Sequence, residues 1–246
     1  MDNPAAGRIF AGMEHDCDIL ITGGGLNGPA LALAAARAGL SSIVIDALPR
    51  AAREDAQFDG RGYALALSSV RLLANLGLWG DLQAQAQPMH QIKVTDGRVG
   101  EARVFLGLHF DSAEIEEGPM GHMVEDRYLR RALLEAMGAA PLVTHRGGAR
   151  VVAQDVGAAG VSATLDNGEV LRARLLVGAD GRSRGTARRA GIRRTGWGYG
   201  QTALVCAIAH DRPHGGIAHQ FFLPAGPLAI LPLPGNRSSI GWSESD

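Results

Sequence analysis

Apolar and polar positions along this chain repeat with two different periods. A short apolar run, Asp18-Ile-Leu-Ile-Thr22, leads into a glycine-rich turn and then into the alanine-rich stretch Ala30–Arg37, which stops at Gly39. A second apolar run, Ser42-Ile-Val-Ile-Asp46, follows. Two β-rich runs around a helical stretch predict a strand–helix–strand unit. Pro29 falls in the first helical turn, where a missing N–H costs nothing, and Gly39 stands where a helix C-terminal glycine belongs. Further on, Leu72, Leu73 and Leu76 predict a helix over 68–76, and Leu129, Leu133, Leu134 and Met137 predict an amphipathic helix over 126–137. Residues 90–95 and 102–110 read as strands, the second alternating Val104, Leu106, Leu108 and Phe110. Residues 150–155 and 161–165 alternate as strands, and Asp166-Asn167-Gly168 is a turn. Leu175–Gly178 is a continuous apolar run of the kind that fills a central parallel strand. From Thr202 the chain is β-rich again, over 203–209, 220–223, 228–231 and 239–242. Residues 47–58 and 111–120 read as loops, and Met1–His15 as an aperiodic leader.

This order predicts two discontinuous domains. A parallel core is laid down first, strands of another sheet are inserted, the chain returns to the core at Leu175, and then it leaves again. The expected organisation is a leader over 1–15, one domain from 16–89 and 111–200, and a β-sheet domain from 90–110 and 201–246. The ligand cleft is expected between them.

The chemistry lies in the first turn. Gly23, Gly25 and Gly28 occupy the positions of a G-x-G-x-x-G fingerprint. The first glycine permits the tight turn, the second lets the backbone approach a diphosphate, and the third lets the helix pack close to the strand. A diphosphate would then rest on the positive end of the helix dipole. Asp46 closes the second strand, where its carboxylate can accept hydrogen bonds from ribose hydroxyls. The stretch predicts a Rossmann-like dinucleotide site and does not separate NAD from FAD.

Composition narrows the partners. The 246 residues carry a formal net charge of −1, which gives no electrostatic case for nucleic acid. Lys93 is the only lysine, so the positive charge is almost all arginine. Cys17 and Cys206 are too few for a disulfide framework, and Cys17 reads as buried strand filler rather than a reactive thiol. There is no signal-peptide pattern and no apolar run near the roughly 18 residues of a membrane span, so a cytoplasmic protein is expected. The eight histidines show no metal-ligand spacing, and His210, His214 and His219 read as loop or strand-end residues.

Three more motifs follow the fingerprint in order: Asp59-Gly60-Arg61-x-x-Ala64-Leu65, Gly178-Ala179-Asp180-Gly181, and the run Gly226-Pro227 to Leu233. Together they resemble the single-component FAD-dependent aromatic hydroxylases, with the ubiquinone-biosynthesis hydroxylases as the nearest branch. The resemblance covers residues 17–242. It implies an α/β fold of the p-hydroxybenzoate hydroxylase type, in which a Rossmann-like FAD-binding domain interleaves with a β-sheet substrate domain. FAD would lie with its diphosphate on Gly23, Gly25 and Gly28 and its adenosine ribose on Asp46. Arg61 would reach a phosphate or ribityl oxygen on the flavin side. Asp180 and Gly181 match a second signature that serves FAD and the passing NAD(P)H. Asp126 stands where the family places a residue facing the ribityl chain, and it reads equally as a helix N-cap.

The implied reaction needs no metal and no protein nucleophile, so no catalytic side chain is assigned. NAD(P)H reduces the flavin, O2 is activated, and an oxygen atom passes to the ring of a prenylated phenol. Phe221, Phe222 and Leu223 are candidates for lining an apolar cleft or for ordinary sheet core. Peripheral association with a membrane or a biosynthetic complex is a further expectation. The chain departs from the family pattern at Asp46, where Glu is commoner, at Asp126, where the family usually has Asn, Gln, His or Arg, and in two further places. After Asp180-Gly181, Arg184 and Ala187 fall where the family has Ser and Arg, with Ser183 and Arg188 each one residue off. Nothing after Gly181 supplies the family's third signature, a Gly-Asp pair before a Pro- and Gly-rich helix start. That departure implies a truncated chain that is not a competent hydroxylase alone. Two other readings are an FAD-dependent reductase of the geranylgeranyl-reductase type and an inactive nucleotide-binding fragment.

Overall fold

The computed structural model describes residues 14–55, 57–97, 107–182 and 185–246. In chain order the elements begin with β1 (Cys17–Thr22), α1 (Asn27–Arg37), β2 (Ser42–Asp46), α2 (Arg50–Arg53), β3 (Gly62–Leu65), α3 (Leu67–Asn75) and α4 (Trp79–Gln83). They continue with β4 (Ala86–Met89), β5 (Gln91–Asp96), β6 (Gly107–Asp111), β7 (Gly121–Glu125), α5 (Asp126–Ala139) and β8 (Val143–Gly147). Next come β9 (Val151–Gly157), β10 (Gly160–Leu165), β11 (Val170–Gly178) and α6 (Gly185–Arg189). The last four are β12 (Gln201–Ala209), β13 (Ile217–Leu223), β14 (Gly226–Leu233) and β15 (Arg237–Ser245). The described residues fall into two compact units, one within Met1–Asp55 and Leu133–Thr195, the other within Ala56–Ala132 and Gly196–Asp246. One unit boundary falls inside α5, whereas the sequence reading drew its boundaries at 89/90 and 110/111.

The first unit is built on a six-stranded sheet of order β8-β2-β1-β11-β10-β9. β8, β2, β1 and β11 run parallel, and β11, β10 and β9 are antiparallel. β-branched residues dominate β1 and β2, as suits strands covered on both faces. On one face Leu20, Ile43, Ile45, Ala163 and Leu171 form a buried cluster with Cys17. Ile21 and Val44 are fully buried, and α1 packs against β1, β2 and β8 with Ala32 and Ala35 inward. Each such aliphatic side chain contributes about 1.5–3 kcal/mol by leaving water. Cys17 is filler as expected: burial pushes its thiol up to about 11. The run at 175–178 is the C-terminal part of β11, a central strand parallel to β1, yet Leu175 is 51% exposed.

The second unit holds a six-stranded sheet of order β12-β15-β14-β13-β5-β6 and a three-stranded antiparallel sheet, β3-β7-β4. Met89, Met123, Ala218 and Leu233 form its buried core, with Phe58, Ile92 and Leu231 packed on it. β5 joins the C-terminal strands through a parallel pairing with β13.

Several local expectations change. Residues 47–58 contain the four-residue helix α2, too short for a periodic signal. Strands β3, β4, β7 and β8 also went unread, being only four or five residues long with little alternation. In α3 the buried residues are Val70 and Leu73, and Leu72 is exposed. The leader, apart from Glu14 and His15, lies outside the described residues, and so do Val104 and Leu106 of the strand expected over 102–110. Phe221 and Phe222 cannot line one cleft, because neighbouring strand residues point to opposite faces. His219 sits within β13, stacked 6.0 Å from Phe221, rather than at a strand end.

Candidate dinucleotide-binding site

The turn between β1 and α1 is built around missing side chains. Gly23 has φ +108°, and a Cβ there would lie 2.3 Å from the Ala179 carbonyl oxygen. The first glycine thus lets the Gly178–Gly181 segment lie directly against the turn, where the Ala179 N–H donates to Thr22 O at 2.7 Å. A Cβ at Gly28 would lie 2.0 Å from the Gly23 carbonyl oxygen, so this glycine sets the close approach of α1 to the turn. Gly25 differs: a Cβ there would meet nothing within 4 Å. The protein itself does not require this glycine, and the space it leaves opens into a cavity. No side chain caps the N-terminus of α1, so that end retains free N–H groups for an anion.

That cavity, about 520 Å³, is lined by Gly23, Gly25, Asp46, Asp180 and Gly181, five of the eight site residues expected from the sequence. Gly28 lies behind Gly23. Arg53, Arg150, Arg188 and Arg189 also line it, four arginines against two aspartates, a formal surplus of two positive charges. The sequence singles out Arg188 alone of these, as one residue off the family's Arg position, and not the other three, since a surface arginine carries no spacing signal. Arg150 and Arg188 make no side-chain hydrogen bond or ion pair among the described residues.

Asp46 is buried, and Arg53 holds it by a two-pronged contact. Arg53 Nε donates to Oδ2 at 2.6 Å and Nη2 donates to Oδ1 at 2.9 Å, while the Leu48 N–H donates to Oδ1 at 3.2 Å. Burial works to raise the Asp46 carboxyl, and the Arg53 fork with the Leu48 N–H outweighs it, so the group ionises below its ordinary value. A Cβ at Gly24 would lie 2.3 Å from Asp46 Oδ2, so the carboxylate fills the space beside this glycine as well.

Asp180 has a local partner. Its Oδ2 accepts from the Thr186 N–H at 2.9 Å and from the Thr186 hydroxyl at 3.0 Å. Thr186 is buried, and its hydroxyl lies 2.6 Å from that of Thr22. Gln154 Nε2 donates to Thr186 O, and Arg189 Nε donates to Gln154 Oε1. Thr186 thereby ties the fingerprint strand to the second signature. Its neighbours Ser183 and Arg184 lie outside the described residues.

The remaining two expected residues lie in the second unit. Arg61 Nε donates to Asp59 Oδ2 at 2.7 Å, and Arg61 Nη2 lies 3.6 Å from Asp126 Oδ2. The Asp59 hydrogen bond raises the Arg61 guanidinium further above its already high range, with Asp126 adding to it. Asp126 is buried. Arg130, one turn along α5, donates to its Oδ2 from Nε at 3.0 Å and Nη2 at 2.8 Å, and the Tyr63 hydroxyl donates to Oδ1 at 3.0 Å. Burial, then the Asp126 charge, pushes the Tyr63 phenol up. Asp126 is the first residue of α5, and Arg130 at i+4 reaches its carboxylate from within the helix. Beside it, Glu125 is fully buried and takes Arg127 at 2.8 Å and Arg237 at 2.7 Å, both stacked over Phe58.

The first unit fits a dinucleotide. It has an open glycine at Gly25, an uncapped helix start, an acid at the second strand end and an excess of positive charge to meet a diphosphate. Among the described residues no His, Cys, Asp and Glu cluster could hold a metal, and no helix is long and apolar enough to cross a membrane. Comparison with known proteins agrees with the fit. The chain is 48% identical over 244 residues to ubiquinone hydroxylase UbiL of Rhodospirillum rubrum, covering 99% of this chain and 56% of that protein. It is 35% identical to the 3-demethoxyubiquinol 3-hydroxylase of Escherichia coli, covering 93% of this chain and 57% of that one. The chain thus spans a little over half the length of these relatives. The crystal structure of Pseudomonas aeruginosa PqsL in complex with 2-aminobenzoylacetate matches with a TM-score of 0.78 at 22% identity, covering 94% of this chain and 61% of that one, a likeness of fold. The model of the FAD binding domain family matches residues 16–219, most of the chain, and the chain belongs to that family.

Proposed function

We propose that this chain carries the FAD-binding half of an aromatic-ring monooxygenase of the ubiquinone-biosynthesis branch, using NAD(P)H and O2 on a prenylated phenol. The observation that supports this most is the cavity at Gly25, where the fingerprint glycine is open to ligand space and unneeded by the fold. Gly25 would admit the diphosphate to the backbone N–H groups at the start of α1, while Gly23 and Gly28 keep that backbone in place. Arg150 and Arg188 would add favourable charge from the cavity wall. Asp46 would face the adenosine ribose, and Asp180 would fix the second signature through Thr186. Arg61, aimed by Asp59 and Asp126, would serve the flavin side. When bound, FAD supplies the redox chemistry: it takes a hydride from NAD(P)H and activates O2 for transfer to the ring. The substrate class follows the relatives, both of which are named for ubiquinone-pathway hydroxylation. A prenylated substrate also favours work at a membrane surface, with peripheral association as the expected mode.

Calorimetric titration of the purified chain with ADP tests the cofactor reading. Measurable one-to-one binding is expected, and none at millimolar ADP rejects it. Deleting the gene tests the substrate reading. Ubiquinone should fall and a precursor lacking one ring oxygen should accumulate, whereas normal quinone levels reject that assignment.

A further inference from the structure

Asp46 stands where a dinucleotide-binding acid reads ribose, but most of its acceptor capacity is already taken. An ionised carboxylate offers about four lone-pair sites. Oδ1 receives Arg53 Nη2 and the Leu48 N–H, which fills it. Oδ2 receives Arg53 Nε at 2.6 Å and is pressed against the Gly24 backbone, where a Cβ would come within 2.3 Å. One acceptor site is left. Arg53 is also the more accessible member of the pair, its side chain 22% exposed against 3% for Asp46. Both residues line the same cavity as Gly25.

We propose that Arg53 is the positioning residue of ribose recognition: its fork fixes the plane of the Asp46 carboxylate and leaves one acceptor, so the site reads one ribose hydroxyl rather than two. The inference rests on the dinucleotide reading above. The fork is what does the positioning, since two parallel N–H donors define an orientation that a point charge does not. A lysine at 53 would keep the charge and lose the orientation.

The test compares ADP, 2′-deoxy-ADP and 3′-deoxy-ADP by calorimetry on the full chain and on two variants. For the native chain, one deoxy analogue should bind about tenfold more weakly than ADP, and the other within about twofold of it. In Arg53→Gln the ADP affinity should fall about tenfold, and the difference between the two deoxy analogues should shrink to less than about twofold. Arg53→Lys should lose the same selectivity with a smaller loss of ADP affinity. Equal weakening of all three ligands in Arg53→Gln, with the native selectivity intact, would show a merely structural arginine and overturn the inference. Equal penalties for both missing hydroxyls in the native chain would overturn it too. If the native chain binds no ADP at all, the dinucleotide reading fails and takes this inference with it. Selective failure, with ADP still bound, leaves that reading standing.

Discussion

The glycine cavity of the first unit and the arginine network of the second use the same residue type in opposite ways. In that network the cations are matched: Arg61 to Asp59, Arg130 to Asp126, Arg127 and Arg237 to Glu125. Glu125 and Asp126 are buried, so their charge can only be met from inside the protein, whereas Asp59 is exposed. In the cavity, four arginines face two aspartates, and Arg150 and Arg188 have no described partner. Charges satisfied internally hold a structure together, whereas charges left over at a cavity wall are available to a ligand. The contrast supports the cavity as the receiving site proposed above, without reference to any motif.

The contrast breaks most visibly at Glu125. Replacing it with Ala leaves Arg127 and Arg237 without their shared carboxylate and should cost about 3–5 kcal/mol of stability, the usual penalty for breaking a buried ion pair. A urea titration checks the loss. The ADP affinity of the folded variant should stay within about twofold of native, since a structural charge touches no ligand. A large drop in ADP affinity with unchanged stability would reverse the roles assigned to the two regions.

Gly25→Val probes the other side. Nothing in the protein meets a Cβ at this position, so the melting temperature should hold. The side chain would occupy the diphosphate space, and ADP should bind at least about a hundredfold more weakly, or ~2.7 kcal/mol. Gly23→Ala should do the converse first: its Cβ collides with the Ala179 carbonyl and its φ is positive, so the fold itself suffers. Equal loss of stability in both variants would remove the distinction between a ligand glycine and a packing glycine.

Much of this was legible in the sequence, for identifiable reasons. The strand–helix–strand unit carries its own period, its punctuation and its glycines, and β1, α1 and β2 follow the expected bounds to within about three residues. The return of the chain at Leu175 to the parallel core could be read from an unbroken apolar run, and the structure adds that it pairs with β1. What escaped has no period. Arg53 sits in a helix of four residues, and its link to Asp46 spans seven positions that no regular element makes adjacent. Thr186 looks like an ordinary threonine until the fold places it beside Thr22 and Asp180. Gly24 fills an x position in the fingerprint, and only the structure shows that the Asp46 carboxylate needs its missing side chain.

Acid should act on both units through their half-buried histidines. Burial lowers the folded pKa of His122, His145 and His219 below the ordinary 6.5, with His90 adding to it at His122 and Lys93 at His219. A depressed folded pKa means that the unfolded chain takes up the proton first. The stability these neutral imidazoles contribute is therefore complete above pH 6.5 and is lost as pH falls through their folded values. Each group can lose at most about 1.4 kcal/mol per pH unit below that point. Urea midpoints at stepped pH read it directly. His145→Gln should flatten part of the slope, and a midpoint that rises on acidification would contradict the sign.

The smallest effect sharpens the comparison furthest, because it concerns cations that hold nothing together. Arg188→Gln and Arg150→Gln should leave stability unchanged, since neither guanidinium has a described partner to lose. Each should weaken ADP by about threefold at low ionic strength, the effect expected of an exposed charge near a bound anion. The penalty should vanish as salt rises to about 0.5 M, where the screening length shrinks well below the width of the cavity. Arg71, paired with Glu117 on the surface of the second unit, is the control, and Arg71→Gln should change ADP affinity at neither salt. If Arg188→Gln and Arg71→Gln behave alike, net charge rather than the cavity wall attracts the ligand, and the distinction between matched and surplus arginines loses its functional meaning.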